Sequence, residues 1–273
     1  MNWWQAFLLG IVQGLTEFLP VSSSGHLMIF KELMGVDAEG FLDFTVTVHM
    51  ATVLSTIVVF WSVIKNIVKG FFKFSYNDET DYLFKIIVSM IPVGIVGVFF
   101  KDKVESLFGN NLFTVAIFLI ITAVLLYLAD KPFNRKDKVC KSAGSDCRNG
   151  ISYWQAFVVG IGQACSVAPG LSRSGTTIAT GLICGVKREV IAQFSFLMVL
   201  IPIIGEQFLN IAGGFSGLSG DTIGWLPLTM GFISAFLSGL FACKVMISIV
   251  KKAKLIWFSL YCLVVALLIL IFI

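Results

Sequence analysis

Charge is what this chain has least of. Asp, Glu, Lys and Arg make up 13% of its 273 residues, where a soluble domain carries about 25%. That scarcity excludes an ordinary soluble domain, because its surface could not be covered. Met1-Asn2-Trp3-Trp4 lacks a basic stretch and no small-residue cleavage site follows, so no cleavable signal peptide is expected. The net charge of +4 gives no reason to expect a nucleic-acid partner. Of six cysteines, Cys165, Cys184, Cys243 and Cys262 lie in or beside apolar segments and read as small hydrophobes. Cys140 and Cys147 share a polar loop whose expected compartment is reducing, so free thiols are expected there.

Hydrophobic residues replace the missing charge, at 57%. Five runs are long enough to span a bilayer: about 44–64, 84–100, 111–129, 190–212 and 223–243. A sixth, 255–273, closes the chain. Two further stretches, 4–34 and 152–186, each read as a helix, a break and a half-length helix. The first break is Pro20-Val21-Ser22-Ser23-Ser24-Gly25-His26; the second is Pro169-Gly170-Leu171-Ser172-Arg173-Ser174-Gly175. Backbone that irregular is tolerated at membrane depth only inside protein or against a wet cavity.

The broken stretches are copies. At an offset of 150, Trp4-Gln5-Ala6-Phe7 matches Trp154-Gln155-Ala156-Phe157, Gln13 matches Gln163, and Ser22, Ser24 and Gly25 match Ser172, Ser174 and Gly175. Each copy precedes three spans, which divides the chain into 1–130 and 151–273, joined by a linker, 131–150. If each copy is a re-entrant hairpin, three spans per half invert the second half. Sixteen of the twenty Lys and Arg then fall on one side, with Lys31, Lys101 and Lys103 opposite and Arg173 in a break. Single crossings would split them ten against nine. The positive-inside rule selects the hairpin model. The fold expected is therefore an all-α integral membrane protein, with six transmembrane helices plus two re-entrant helix-break-helix hairpins in two inverted-topology repeats. Both termini lie outside and the linker is cytoplasmic.

Ionisable residues at membrane depth are costly and mark function. Glu17, His26 and Arg173 fall in or beside the breaks. Ser22, Ser23, Ser24 and Gly25 precede one half-helix; Ser172, Ser174 and Gly175 precede the other, with Thr176 and Thr177 in its first turn. Two helix N-termini aimed at one spot bind anions, and the Arg173 fork matches phosphate. His26 reads as base or nucleophile, and Ser23 as a nucleophile beside it. Glu17 and Gln13, four apart on one helix face, form a candidate oxygen site for Mg²⁺ or Ca²⁺. The plainer reading of Glu17 and Arg173 is a structural ion pair. His49 reads as a hydrogen-bonded packing residue, Asp43 as a capping or solvated acid, and Glu206 as reaching the interface. The phenylalanines and tyrosines of 71–83, with Trp3, Trp4, Trp61 and Trp154, read as interfacial belts.

The stretch Gln13-Gly14-Leu15-Thr16-Glu17-Phe18-Leu19-Pro20-Val21-Ser22-Ser23-Ser24-Gly25-His26, with Pro169-Gly170-Leu171-Ser172-Arg173-Ser174-Gly175-Thr176-Thr177, resembles the two signature motifs of the bacterial undecaprenyl pyrophosphate phosphatase family, which confers bacitracin resistance. The resemblance covers essentially the whole chain. It implies hydrolysis of undecaprenyl pyrophosphate to undecaprenyl phosphate and phosphate, recycling the carrier for peptidoglycan synthesis. It implies a divalent metal, the bacterial cell membrane and a site open to the outer face. The family roles fall on Glu17, Ser23, His26 and Arg173, then on Gln13, Ser172, Ser174 and Thr177. The family admits Glu or Gln at position 13, and Gln13 leaves one negative ligand fewer. The partners expected are the polyprenyl pyrophosphate and membrane lipid, with a homodimer admitted. Broken helices meeting at the midplane are also a transporter signature, so a carrier of a lipid phosphate or small anion is the competing reading, and a structural scaffold the plainest. Ser23, His26 and water all stand open as the attacking group.

Overall fold

The computed structural model describes residues 1–36, 40–100, 111–130, 145–168, 170–205, 223–252 and 254–272, with backbone alone for 98, 145–147, 251 and 252. Helices account for nearly all of it, and no strand occurs among the described residues. Glu206, Cys140 and most of the linker lie outside them.

The first stretch folds as α1 (Trp3–Phe18) and α2 (Ser23–Leu33). Pro20 forces the preceding Leu19 into extended backbone (φ −72°, ψ 143°), which ends α1. The second forms α7 (Tyr153–Cys165) and α8 (Arg173–Ile183). One device closes the base of both. Gln5 accepts the Asn2 N–H at its side-chain oxygen (2.8 Å) and donates to the Met34 carbonyl (3.1 Å). Gln155 accepts the Ser152 N–H (2.9 Å) and donates to the Cys184 carbonyl (3.0 Å). The repeated Gln thus ties the start of each pair to its end.

The remaining helices are α3 (Phe41–Val59), α4 (Trp61–Phe71), α5 (Asp78–Phe99), α6 (Leu112–Asp130), α9 (Arg188–Met198), α10 (Trp225–Lys252) and α11 (Ile256–Phe272). Five stretches are long and apolar enough to cross a membrane: Phe41–Val59, Asp78–Gly97, Leu112–Asp130, Arg188–Gly205 and Trp225–Val250. The sixth expected span, α11, has 17 residues, about 26 Å of helix, at the short end of what crosses a bilayer. The protein is a multi-pass membrane protein.

Three boundaries differ from the sequence reading. The run 44–64 is not one helix: it breaks at Phe60, whose ring packs 6.2 Å from Phe196, and α4 continues with Lys65 and Lys69 facing out. The run begun at 84 starts instead at Asp78. Asn77 caps it by accepting the Thr80 N–H (2.8 Å), and Asp78, Glu79 and Asp81 favour the positive helix start. Lys85, counted in the sequence among the charges on one side of the membrane, is fully buried and donates to Asp81 (2.7 Å) and to the Arg148 carbonyl (2.8 Å). Finally, α10 runs to Lys252, well past 243.

The packing crosses between halves. Helix α1 lies on α10, α7 on α5, α3 on α10, and α6 on α11. Small residues permit the closest approach: a Cβ at Gly10 would stand 2.4 Å from the Gly231 carbonyl oxygen, and one at Gly14 2.6 Å from that of Ala235. Helices in lipid associate through such contacts rather than through apolar burial.

Candidate active site

The two breaks meet. Ser22 caps α2 by accepting the Gly25 N–H (3.2 Å), and Ser172 caps α8 by accepting the Gly175 N–H (3.1 Å). Each break also reaches the other. Ser24 Oγ accepts the Gly170 N–H (3.4 Å), and Ser174 Oγ donates to the Leu19 carbonyl (3.1 Å). Glycine makes the approach possible: a Cβ at Gly25 would stand 3.1 Å from a Val115 methyl, and one at Gly175 3.3 Å from Pro20. Ser22 holds φ at +71°, a left-handed value that costs a non-glycine residue about 1–3 kcal/mol and persists where surroundings impose it.

Between the breaks lies a polar cavity. Glu17, Ser23, His49 and Arg173 line it, with the serines of both copies. Three groups converge on Glu17 Oε2: the Ser23 hydroxyl donates at 2.5 Å, Gln13 Nε2 donates at 2.9 Å, and His49 Nε2 stands 3.7 Å away. Among the described residues nothing forms a hydrogen bond or ion pair with the Arg173 guanidinium. Glu17 and Arg173 are near enough to attract each other electrostatically, but no ion pair within 4 Å joins them. The amides of Ser23, Ser24, Arg173 and Ser174 likewise have no partner among the described residues. Free first-turn amides and an unpaired guanidinium are what an anion requires.

The sequence-predicted residues divide. Glu17, Ser22, Ser23, Ser24, Ser172, Arg173 and Ser174 come together at the cavity. Gly25 and Gly175 stand at its edge with their amides spent on the caps. Thr177 donates to the Arg173 carbonyl (2.8 Å) and lies against an adjoining cleft; Thr176 is buried, with no partner for its hydroxyl. His26 does not line the cavity. Its Nδ1 donates to the Ser22 carbonyl (2.7 Å), and its Nε2 pairs with the Tyr261 hydroxyl (2.8 Å), with the two rings stacked. Both ring nitrogens are engaged, Nδ1 with the cap of its own helix and Nε2 in a bridge from α2 to α11.

His49 is the residue that the packing assignment undervalued. Its Nδ1 donates to the Thr45 carbonyl (2.8 Å) as expected of a packed histidine, but that bond leaves Nε2 facing Glu17. Its signal in the sequence was an imidazole in an apolar run. Tyr261 had none, being 235 residues from His26.

No group of three or more His, Cys, Asp or Glu is placed to hold a metal among the described residues. Glu17 is the one carboxylate at the cavity, and the Gln13 side-chain oxygen is buried without a partner. Gln13 is fully buried outside the cavity lining and turns its Nε2, not its oxygen, to Glu17, so of the expected pair only Glu17 offers an oxygen to a cation in the cavity.

The family model described as Bacitracin resistance protein BacA matches residues 6–268. The chain is 52% identical over 264 residues to an undecaprenyl-diphosphatase of Parabacteroides distasonis, covering 96% of this chain and 95% of that one. It is 52% identical over 267 residues to an undecaprenyl-diphosphatase of Bacteroides thetaiotaomicron, with 96% of each covered. Over 281 residues it is 34% identical to one from Methanobrevibacter smithii, covering 97% and 95%. With both motifs folded onto one cavity and the match running nearly end to end, the chain belongs to the bacitracin resistance protein BacA family.

Proposed function

We propose that this protein hydrolyses undecaprenyl diphosphate to undecaprenyl phosphate and inorganic phosphate, returning the lipid carrier to peptidoglycan synthesis. One observation carries the reading: a serine hydroxyl bonded at 2.5 Å to a carboxylate inside a cavity that also holds an unpaired arginine. Phosphoryl transfer needs positioning and charge neutralisation above all. Arg173 and the free amides of both helix starts hold the terminal phosphate. The Ser23 proton passes to Glu17 Oε2, and Ser23 Oγ attacks phosphorus. The bond to the bridging oxygen breaks and undecaprenyl phosphate leaves. Glu17 passes that proton to the departing phosphate oxygen and is a carboxylate again. Water then attacks the phosphoserine, its proton going to Glu17 and from there to Ser23 Oγ as the Ser23 O–P bond breaks and inorganic phosphate leaves. Glu17 would hold Mg²⁺ or Ca²⁺, whose charge offsets that of the diphosphate.

His26 acts one step back in this scheme, fixing the Ser22 carbonyl and so the turn that presents Ser23. A carrier would need the anion cradle but not the Ser23–Glu17 pair.

The topology belongs to the same proposal. The two helix pairs are re-entrant hairpins in inverted halves, with both termini outside, the linker in the cytoplasm and the site open to the outer face. What supports this is the Lys and Arg distribution, the Gln5 and Gln155 bonds at the two hairpin bases, and the reciprocal packing of α1 on α10 and α7 on α5.

The test is phosphate release from a prenyl diphosphate by purified protein in detergent. Arg173→Ala should abolish turnover while the protein stays folded; near-normal turnover in that variant would sink the assignment. Trapping the phosphoenzyme should give acid-stable phosphoserine at Ser23, and an acid-labile adduct would move the attack to histidine.

A further inference from the structure

A second cavity lies away from both motifs, where α4 meets the starts of α5 and α9. Its volume is about 350 Å³, within the range of small-molecule sites and far more than a single ion fills. The polar lining is Asn66 of α4, Asp78, Glu79 and Tyr82 of α5, Asn149 before α7, and Gln193 of α9. Val63, Ile67 and Val190 form the apolar part.

The lining carries charge of one sign: among the described residues, no Lys or Arg belongs to it. Asp78 is partly compensated by Arg148, 3.7 Å away. Glu79 is half-buried, and among the described residues no ion pair or side-chain hydrogen bond engages it. Gly70 lets α4 close on it: a Cβ there would stand 2.5 Å from the Glu79 Cβ. Asn149 donates to the Asp78 carbonyl (2.8 Å) and to Asp81 (3.3 Å), so its amide donors are spent and its oxygen remains. Tyr82 adds an independent observation. It is 7% exposed, and its hydroxyl is buried with no hydrogen-bond partner among the described residues. Phe194 holds its ring edge-on at 5.8 Å. Gln193 stands near that hydroxyl on the same cavity but closes no hydrogen bond with it. Buried hydroxyls are ordinarily bonded, and this one sits on a cavity beside an uncompensated carboxylate.

We propose that this cavity binds a primary ammonium carried on a short aliphatic stem. The charge of the lining excludes an anion. An ammonium brings three N–H donors and no acceptor. The Glu79 carboxylate, the Tyr82 hydroxyl and the amide oxygens of Asn66, Asn149 and Gln193 are all able to accept them. The stem lies on Val63, Ile67 and Val190. Two sources supply this chemistry: the ethanolamine headgroup of a phospholipid, and a soluble diamine. Trp61, Phe71 and Phe72, at and just beyond the ends of α4, are exposed as residues at a lipid interface are, which brings a headgroup within reach. The site is independent of the hydrolytic reading, since it shares no residue with the cavity between the breaks.

The test is calorimetric titration of purified protein in detergent with 1,4-diaminobutane at fixed ionic strength. Binding should saturate. Choline, whose quaternary nitrogen has no N–H, should bind about tenfold more weakly or worse. Glu79→Gln should weaken 1,4-diaminobutane by about tenfold or more, and Tyr82→Phe, which removes only the hydroxyl, by about threefold or more. Glu189→Gln alters an exposed acid outside the cavity and should change nothing. Equal weakening by Glu79→Gln and Glu189→Gln would reduce the effect to surface charge and overturn the proposal, as would choline binding as tightly as the diamine. Nanodiscs separate the two sources. If the lipid is the occupant, wild-type protein should melt higher in phosphatidylethanolamine than in phosphatidylcholine, and Glu79→Gln should lose that difference. If the soluble amine is the occupant, melting should be alike in the two lipids and 1,4-diaminobutane should raise it in both. Wild-type protein that responds to neither the lipid nor the diamine would refute the site.

Discussion

Glu17→Gln tests the chemistry most directly, because it removes the carboxylate charge that the base and any cation depend on while keeping the side chain's shape. The glutamine keeps an oxygen for the Ser23 hydroxyl and for the Gln13 amide, now at 2.5 and 2.9 Å from the carboxylate. The fold should survive. The loss is of charge-assisted hydrogen bonding, worth about 1–2 kcal/mol, partly offset by no longer burying a carboxylate that is only 12% exposed. The rate should fall much further. A positioned base contributes about 10²–10⁴-fold, so the barrier should rise by about 3–5 kcal/mol. Phosphate release in detergent reads the rate, and thermal unfolding of the same preparation reads the fold. The pairing with Ser23 adds a sharper demand. If Glu17 acts through Ser23, then Ser23→Ala should cost almost nothing more once Glu17→Gln is in place, since groups working as a unit are not additive. Full additivity, or a Glu17→Gln enzyme within about threefold of wild type, would refute the base assignment.

Tyr261→Phe breaks only the bridge to α11, whereas His26→Gln also loses the bond to the Ser22 carbonyl, so both should lower the melting temperature and turnover, the second somewhat more but by about tenfold or less; a reacting imidazole would cost about 10²-fold or more. Gly14→Leu should destabilise by more than the about 1–3 kcal/mol typical of overpacking, because its Cβ meets backbone at 2.6 Å, whereas Gly94→Ala, with nothing within 4 Å, should be neutral or stabilising by up to about 1 kcal/mol; melting in one detergent compares them. Lys85→Met takes the cation from a buried Asp81 and should cost about 3–5 kcal/mol, although Tyr76 and Tyr153 still donate to that carboxylate (2.6 and 2.9 Å); a loss in melting stability below about 1 kcal/mol would show that those hydroxyls suffice.

The breaks were legible because proline and serine act locally. Pro20 dictates the backbone of Leu19, and Ser22 and Ser172 cap the next helix whatever surrounds them. The repeat was legible because Gln5 and Gln155 do the same job. What stayed hidden depends on distant partners. No residue around Phe60 breaks a helix; the interruption comes with packing against Phe196. Lys85, at the start of the expected run 84–100, counts as a membrane-flanking charge until Asp81, one turn away, and the Arg148 carbonyl enclose it. His26 lies in a motif and reads as reactive, yet its direction is set by a tyrosine near the end of the chain. Sequence pattern locates a polar residue in depth along a helix; it does not say which neighbour its side chain will face.

At the offset that superimposes the two motifs, Ser23 corresponds to Arg173. Each is the first residue of its half-helix, after a serine cap. The proposed attacking group and the proposed phosphate clamp therefore occupy one and the same position in the two copies. Two identical half-length chains paired face to face would offer either two serines there or two arginines, never one of each. Covalent fusion removes that constraint, since each copy can then change alone. On this view the single long chain is a condition of the chemistry rather than a convenience of expression, and dividing it at the linker leaves two fragments that are active only together.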